Sequence, residues 1–182
     1  MLSQINKRKK GVSLMIGYVL LVSLAVVMGG ILYVWMKSYI PKEDLACPDG
    51  TSLIIESYSY NCSNLSTISI NFKNNGRFDL AGYFIKASNN PNLTLAPIEF
   101  SGKLLRGGNE FVYQQKNAVL FKAGNENSFQ PNNEVTNKFD SSGIGLIKSI
   151  EVIPTRWETQ NNKLLFASCG EISKYKEIIA CK

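Results

Sequence analysis

Between Val12 and Met36 the chain carries no charge for 25 positions, and 13 of those residues are Val, Ile or Leu (VSLMIGYVLLVSLAVVMGGILYVWM). No other stretch limits the fold as tightly. At roughly −0.3 to −0.6 kcal/mol each near a helix centre, these side chains favour membrane insertion by about 4 to 8 kcal/mol. A single central Lys would cancel about 3 kcal/mol of that, and none is present. A helix over 12–40 would reach about 44 Å at 1.5 Å per residue, longer than a ~30 Å hydrocarbon core. Tyr33, Trp35 and Tyr39 fall near its far end, where amphipathic rings favour the interface, and Lys37 can snorkel there. Pro41 ends it, having no N–H to donate and forcing Ile40 toward an extended conformation.

The charge preceding this run sets its orientation. Lys7, Arg8, Lys9 and Lys10 are the only charged residues among the first 11. The positive-inside bias then keeps the N-terminus cytoplasmic and places everything after Pro41 outside. Of 20 cations in the chain, 16 remain beyond these four, against 14 acids, so the rest is nearly neutral at +2. No basic face is visible there, and nucleic acid is not expected as a partner. A Sec-type signal would have an apolar region of about 7–15 residues before a small-residue cleavage site. Met28-Gly29-Gly30 offers small residues, but the apolar run continues to Met36. Gly29 and Gly30 each cost a helix about 1 kcal/mol relative to Ala, and they permit a bend or close helix approach.

The junction KRKKG followed by VSLMIGYVLLVSLAVVMGGILYVW resembles the N-terminus of archaeal type IV pilin-like proteins, the family of archaeal pilins and archaellins. The resemblance covers about 30 residues: Lys9-Lys10-Gly11 as the leader end, Val12-Ser13 as the mature start, and Gly17 early in the helix. It implies a basic leader, 1–11, removed by a prepilin peptidase between Gly11 and Val12 on the cytoplasmic face. It also implies a helix that leaves the membrane to pack with other pilin subunits in a surface filament. Bacterial relatives usually have Glu at the fifth mature position, where this chain has Ile16; archaeal members commonly lack it.

After Pro41 the apolar period changes to two. In STISINFK (66–73), Ile68, Ile70 and Phe72 face one way and Thr67, Ser69, Asn71 and Lys73 the other. Further strands are expected at 52–60, 78–87, 110–115, 118–122, 146–157, 163–169 and 175–181. Asn74-Asn75-Gly76 and Asn161-Asn162 are expected turns. Residues 88–102 and 123–145 read as loops, the second unusually long for an idle connection. Seven or eight strands without helical period indicate an all-β sandwich over 41–182, expected to be immunoglobulin-like.

Four cysteines, Cys47, Cys62, Cys169 and Cys181, all follow the apolar run, which suits two disulfides in an oxidising compartment. A strand between Cys47 and Cys62 would hold them roughly 30 Å apart, whereas a disulfide needs Cα atoms within about 7 Å. The same argument separates Cys169 from Cys181, leaving two connectivities that cross-link the N-terminal hairpin to the C-terminal strands. Of these, Cys47–Cys181 with Cys62–Cys169 is preferred, since it ties the chain end to the helix base. Asn61-Cys62-Ser63, Asn64-Leu65-Ser66 and Asn92-Leu93-Thr94 are possible N-glycosylation triplets.

There is no histidine. Ser-His-Asp and Cys-His catalysis are therefore excluded, as are His-containing zinc sites. Carboxylates such as Asp79 and Glu99 have nothing to align them, and neither a phosphate loop nor metal-ligand spacing occurs, so neither enzymatic activity nor a cofactor is expected. Two functions fit. One is the structural subunit of a pilus-like filament, held in the cell membrane before assembly and then at the cell surface. The alternative is a monomeric, single-pass, membrane-anchored β-sandwich that binds a partner. Cleavage at Gly11 separates them.

Overall fold

The computed structural model describes residues 4–39, 47–61, 66–160 and 162–180, and within the helix the side chains of 15–37. The chain forms two compact units, Met1–Asp44 and Leu45–Lys182. The first contains helix α1, Gln4–Tyr39. It begins earlier than the expected Val12, because Gln, Lys and Arg are good helix formers and extending an existing helix needs no new nucleus. Gly11 is thus crossed without a break. The apolar portion Met15–Lys37 is 23 residues, about 35 Å long, enough to cross a membrane. All its side chains are exposed within the unit. Its apolar surface runs all the way round, as in helices buried on every side by lipid or by other helices. Ser23, inside the span, bonds its Oγ back to the Leu20 carbonyl at 2.9 Å and so hides its own donor.

The second unit is all antiparallel β-structure. Its strands are β1 (Leu53–Tyr60), β2 (Thr67–Asn74), β3 (Gly82–Ser88), β4 (Ile98–Glu99), β5 (Leu104–Arg106), β6 (Asn109–Tyr113), β7 (Lys116–Leu120), β8 (Glu134–Asp140), β9 (Ser149–Gln160), β10 (Lys163–Ser168) and β11 (Tyr175–Ile178). The first sheet has the order β1-β2-β8-β5 and the second β10-β9-β3-β7-β6. These orders reproduce the A-B-E-D and G-F-C-C′-C″ sheets of a variable-type immunoglobulin sandwich. One departure is that β5, in the D position, precedes the β6–β7 hairpin in the chain, and that hairpin runs with its C″ strand before its C′ strand. Another is that the G position is split: β10 and β11 lie end to end along β9, opposite 155–160 and 149–152 respectively.

Between the sheets lies the main core, with Leu53, Ile68, Ile70 and Phe72 from the first sheet packed against Tyr83, Ile85, Val119, Ile150 and Val152 from the second. A second cluster occupies the other face of the second sheet: Ala81, Phe84, Ala118, Leu120, Trp157 and Phe166, flanked by Phe111, Tyr113 and Ile153. Phe111 on β6 and Phe166 on β10 have ring centroids 5.2 Å apart. In a flat five-stranded sheet their strands, at opposite edges, would be about 19 Å apart. The sheet has therefore curled into a half-barrel whose hollow is filled by its own aromatic side chains. Gly82 permits the close strand crossing this needs, since a Cβ there would lie 2.1 Å from the Val119 carbonyl oxygen.

Two segments expected as loops contain structure. The 88–102 stretch holds β4 and the start of a 3-10 turn at Ser101–Lys103, and 123–145 holds all of β8. The expected turn at Asn74 is present. The Asn74 side chain donates to the Phe78 and Phe129 carbonyls and accepts from the Gly76 N–H, tying the turn that follows it to the 123–133 connection.

Candidate functional site

The candidate functional parts are the apolar helix, the point where the chain enters the β-domain, and the surfaces that domain presents. Among the described residues no group of three or more His, Cys, Asp or Glu is placed to hold a metal ion. Gly11 and Val12 lie within α1, one turn before the side-chain-defined span.

The chain enters the β-domain at Cys47, which is disulfide-bonded to Cys169 with Cα atoms 5.3 Å apart. This corrects the preferred pairing: neither Cys47–Cys181 nor Cys62–Cys169 forms, since each would use a cysteine already bonded. The split of the last strand explains why. Chain direction alone suggested that the C-terminus returns to the helix base. Instead β10 stops at Ser168, and Cys169 donates its N–H to the Pro154 carbonyl midway along β9. Buried there with Ala167, it faces Cys47. The β11 segment then continues along the beginning of β9, away from Cys47. Cys62 and Cys181 lie outside the described residues. The observed bond belongs to the other cross-linked connectivity.

Opposite ends of the second sheet are sealed differently. Glu151, on its outer face and 1% exposed, accepts the Ala96 N–H at 3.2 Å and pairs with Lys174 at 3.3 Å. Lys176, on β11, donates to the Pro91 and Leu93 carbonyls at 2.7 Å each. The 89–97 loop is thereby pinned over that face. At the aromatic end, Asn127 acts in place of a neighbouring strand. Its side chain donates to the Trp157 carbonyl and accepts from the Trp157 N–H.

The first sheet has a polar outer face. Lys73 Nζ lies 3.0 Å from both Glu56 and Glu134, and Asn71 bonds the same two carboxylates. Glu56 reaches this position because a bulge between Ile55 and Ser57 leaves it the extra residue on β1. Hydrogen bonds donated to Glu134 and Glu56 raise the Lys73 pKa, and the bond accepted from Lys73 lowers that of Glu134. One cation faces two carboxylates here, and all three side chains are partly exposed, which suits solvent. Elsewhere, a hydrogen bond to Glu177 pushes the Tyr175 hydroxyl up to about 12.

Of the glycosylation triplets, Asn61 is exposed at the end of β1 and Asn92 is exposed in the 89–97 loop, while Asn64 lies outside the described residues. Sequence reasoning missed the Lys176 latch and the buried Asn137–Tyr83 pair, Nδ2 to Oη at 2.7 Å. Neither leaves a local pattern, since their partners lie 83 to 85 and 54 residues apart. Comparison with protein-family models, with curated proteins and with solved structures finds no match for this chain.

Proposed function

We propose that the protein is a single-pass membrane-anchored subunit that holds a disulfide-clamped β-sandwich on the outer side of the membrane as a structural or binding element. The observation that carries this is α1: a 23-residue membrane-length span, Met15–Lys37, charged only at its last residue and preceded by Lys7–Lys10. The run supplies insertion, and the cations supply orientation. The Cys47–Cys169 bond supports an oxidising outer compartment. Its test is protease protection on sealed cells or right-side-out vesicles. The β-domain should be digested from outside once reduced, and an epitope placed before Lys7 should be reached only after lysis. Protection of the β-domain from external protease would overturn the proposal.

A second, finer reading has one feature in its favour. The basic run ends in Gly11 next to a helix that stays apolar all round, as the resemblance to pilin-like proteins requires. Under it, a prepilin peptidase cuts between Gly11 and Val12, and the uncharged helix packs among copies of itself in a filament. Intact-mass analysis of protein from its own cells should then show loss of residues 1–11 and retention of 14–36. Val22→Lys would place a charge mid-helix and block filaments while leaving the β-domain folded. An uncut chain, or filaments at normal yield from Val22→Lys, leaves the plain anchor standing alone.

A further inference from the structure

We infer that Asn92 is an N-glycan acceptor, held outward by a loop whose inward side is latched by Lys176. The inference rests on the outward placement of the β-domain proposed above.

Asn92, Leu93 and Thr94 complete an acceptor triplet with no Pro in the middle, and all three are exposed. The loop turns its backbone, not the acceptor side chain, toward the domain. Ser88 Oγ bonds to both the N–H and the carbonyl of Asn90, and Asn90 Oδ1 accepts the Asn92 N–H at 3.0 Å. The carbonyls of Pro91 and Leu93, on either side of Asn92, both accept from Lys176. The Asn92 side-chain amide takes no partner among the described residues. Asn61 is also exposed but is not free of partners.

The chain order makes the loop accessible at the right time. The latch comes from β11, 83 to 85 residues later than the carbonyls it holds. Glu151, which holds the Ala96 N–H, is 55 residues later. As the chain emerges N-terminus first, the triplet passes the membrane before either clamp exists, and so can be held extended by a transferase. When Lys176 closes later, it grips backbone oxygens only, which an attached glycan leaves untouched. Glycan on Asn92 would also shield Leu93 and Leu95, 41% and 64% exposed.

The co-reactant is a lipid-phosphate-linked oligosaccharide. Asn92 Nδ2 forms a bond to the anomeric carbon as the bond from that carbon to the phosphate oxygen breaks. The amide loses one proton and the lipid phosphate departs, with no change of oxidation state.

The test uses full-length protein recovered from the membrane or surface of its own cells and digested with trypsin without reduction. The Ala87–Lys103 peptide should carry a glycan mass on Asn92. That mass should vanish in Asn92→Gln and Thr94→Ala and persist in Thr94→Ser. Cys47 and Cys62 share the tryptic peptide 43–73, and its disulfide to the Cys169 peptide 164–174 reports export and folding in the same digest. An unshifted Ala87–Lys103 peptide alongside an intact Cys47–Cys169 link overturns the site while leaving the outward placement standing. An unshifted peptide with both cysteines as free thiols overturns the placement and the site together.

Discussion

The two sheets share one core but treat their outer faces in opposite ways. On the first sheet, β2 alternates strictly, with Ile68, Ile70 and Phe72 buried and Ser69, Asn71 and Lys73 turned to water. On the second, β3 buries both of its faces along almost its whole length, and β9 does the same through Thr155. A sheet with one apolar face can stay open; one with two must cover the second face or curl around it. The second sheet curls, so that Phe111, Tyr113, Trp157 and Phe166 cover one another. The domain therefore holds two cores, and only one of them lies between the sheets.

The largest expected effect tests what staples these sheets together. The Cys47–Cys169 bond spans 122 residues, which includes nearly all of both sheets. Loop entropy alone gives it about 5 kcal/mol, less any native-state strain. A Cys47→Ser/Cys169→Ser double variant should unfold at markedly lower urea concentration with an altered m-value, since the unfolded chain is released too. The same connectivity leaves Cys62 to pair with Cys181. The Tyr58 Oη, on β1, accepts the Ala180 N–H at 2.9 Å, which brings the C-terminal segment to that strand. Non-reducing peptide mapping should find the Cys62–Cys181 link, and finding Cys47–Cys181 would refute the arrangement.

Next comes a direct comparison of the two cores. Phe139→Ala in the main core and Phe166→Ala in the half-barrel should each cost about 3 to 5 kcal/mol, since both rings are buried. Were the hollow an ordinary outer surface, Phe166→Ala would change stability by no more than about 0.5 kcal/mol. Chemical denaturation of the two variants side by side decides it.

The same contrast explains what the sequence made readable. Strand β2 announces itself by alternation, and β3, β9 and β10 by apolar runs. Strand β8 (EVTNKFD) lies in a stretch whose composition predicts a loop, although it is central to the first sheet. Its inward positions are Val135, Asn137 and Phe139, and a polar residue in the middle breaks the period. The β6–β7 turn uses Gln114 and Gln115 at φ 47° and 66°, where Asn-Gly would have been legible. The expected disulfide pairing fails because β10 and β11 are collinear along β9, and no local pattern reports that two short strands share one neighbour. The anchor, by contrast, was fully visible, since length and apolarity are local properties.

Asn137 offers a smaller, sharper probe of how the sheets are keyed together. It lies wholly buried on β8 and donates to Tyr83 Oη on β3, across the core. Burial also holds the Tyr83 pKa well above the usual tyrosine value. Asn137→Ala leaves the Tyr83 hydroxyl without this partner and should cost about 1 to 3 kcal/mol. Replacing both ends, Asn137→Leu with Tyr83→Phe, should recover much of that loss, because two apolar partners leave nothing unsatisfied. A double variant no better than the sum of the singles would show that the pair matters by shape rather than by its hydrogen bond.

The smallest effect belongs to the polar face, where Lys73 sits between Glu56 and Glu134. All three side chains are partly exposed, so water and salt screen the pair and its worth is slight. Its pH dependence still has a definite sign. The Glu134 pKa is lowered on folding, so its contribution is complete above the unfolded value near about 4.3 and is lost as pH falls through the depressed folded value. The Lys73 pKa is raised, so its contribution is complete below about 10.4 and is lost as pH rises through the elevated folded value. Lys73→Met should therefore lower the melting midpoint slightly at pH 7, with the deficit shrinking at pH 3 and in 1 M salt. A deficit that is constant across both conditions would mean that the lysine stem packs against Ile54, opposite it on β1, while its charge does nothing. The polar face would then owe its place to the same burial that shapes the other sheet.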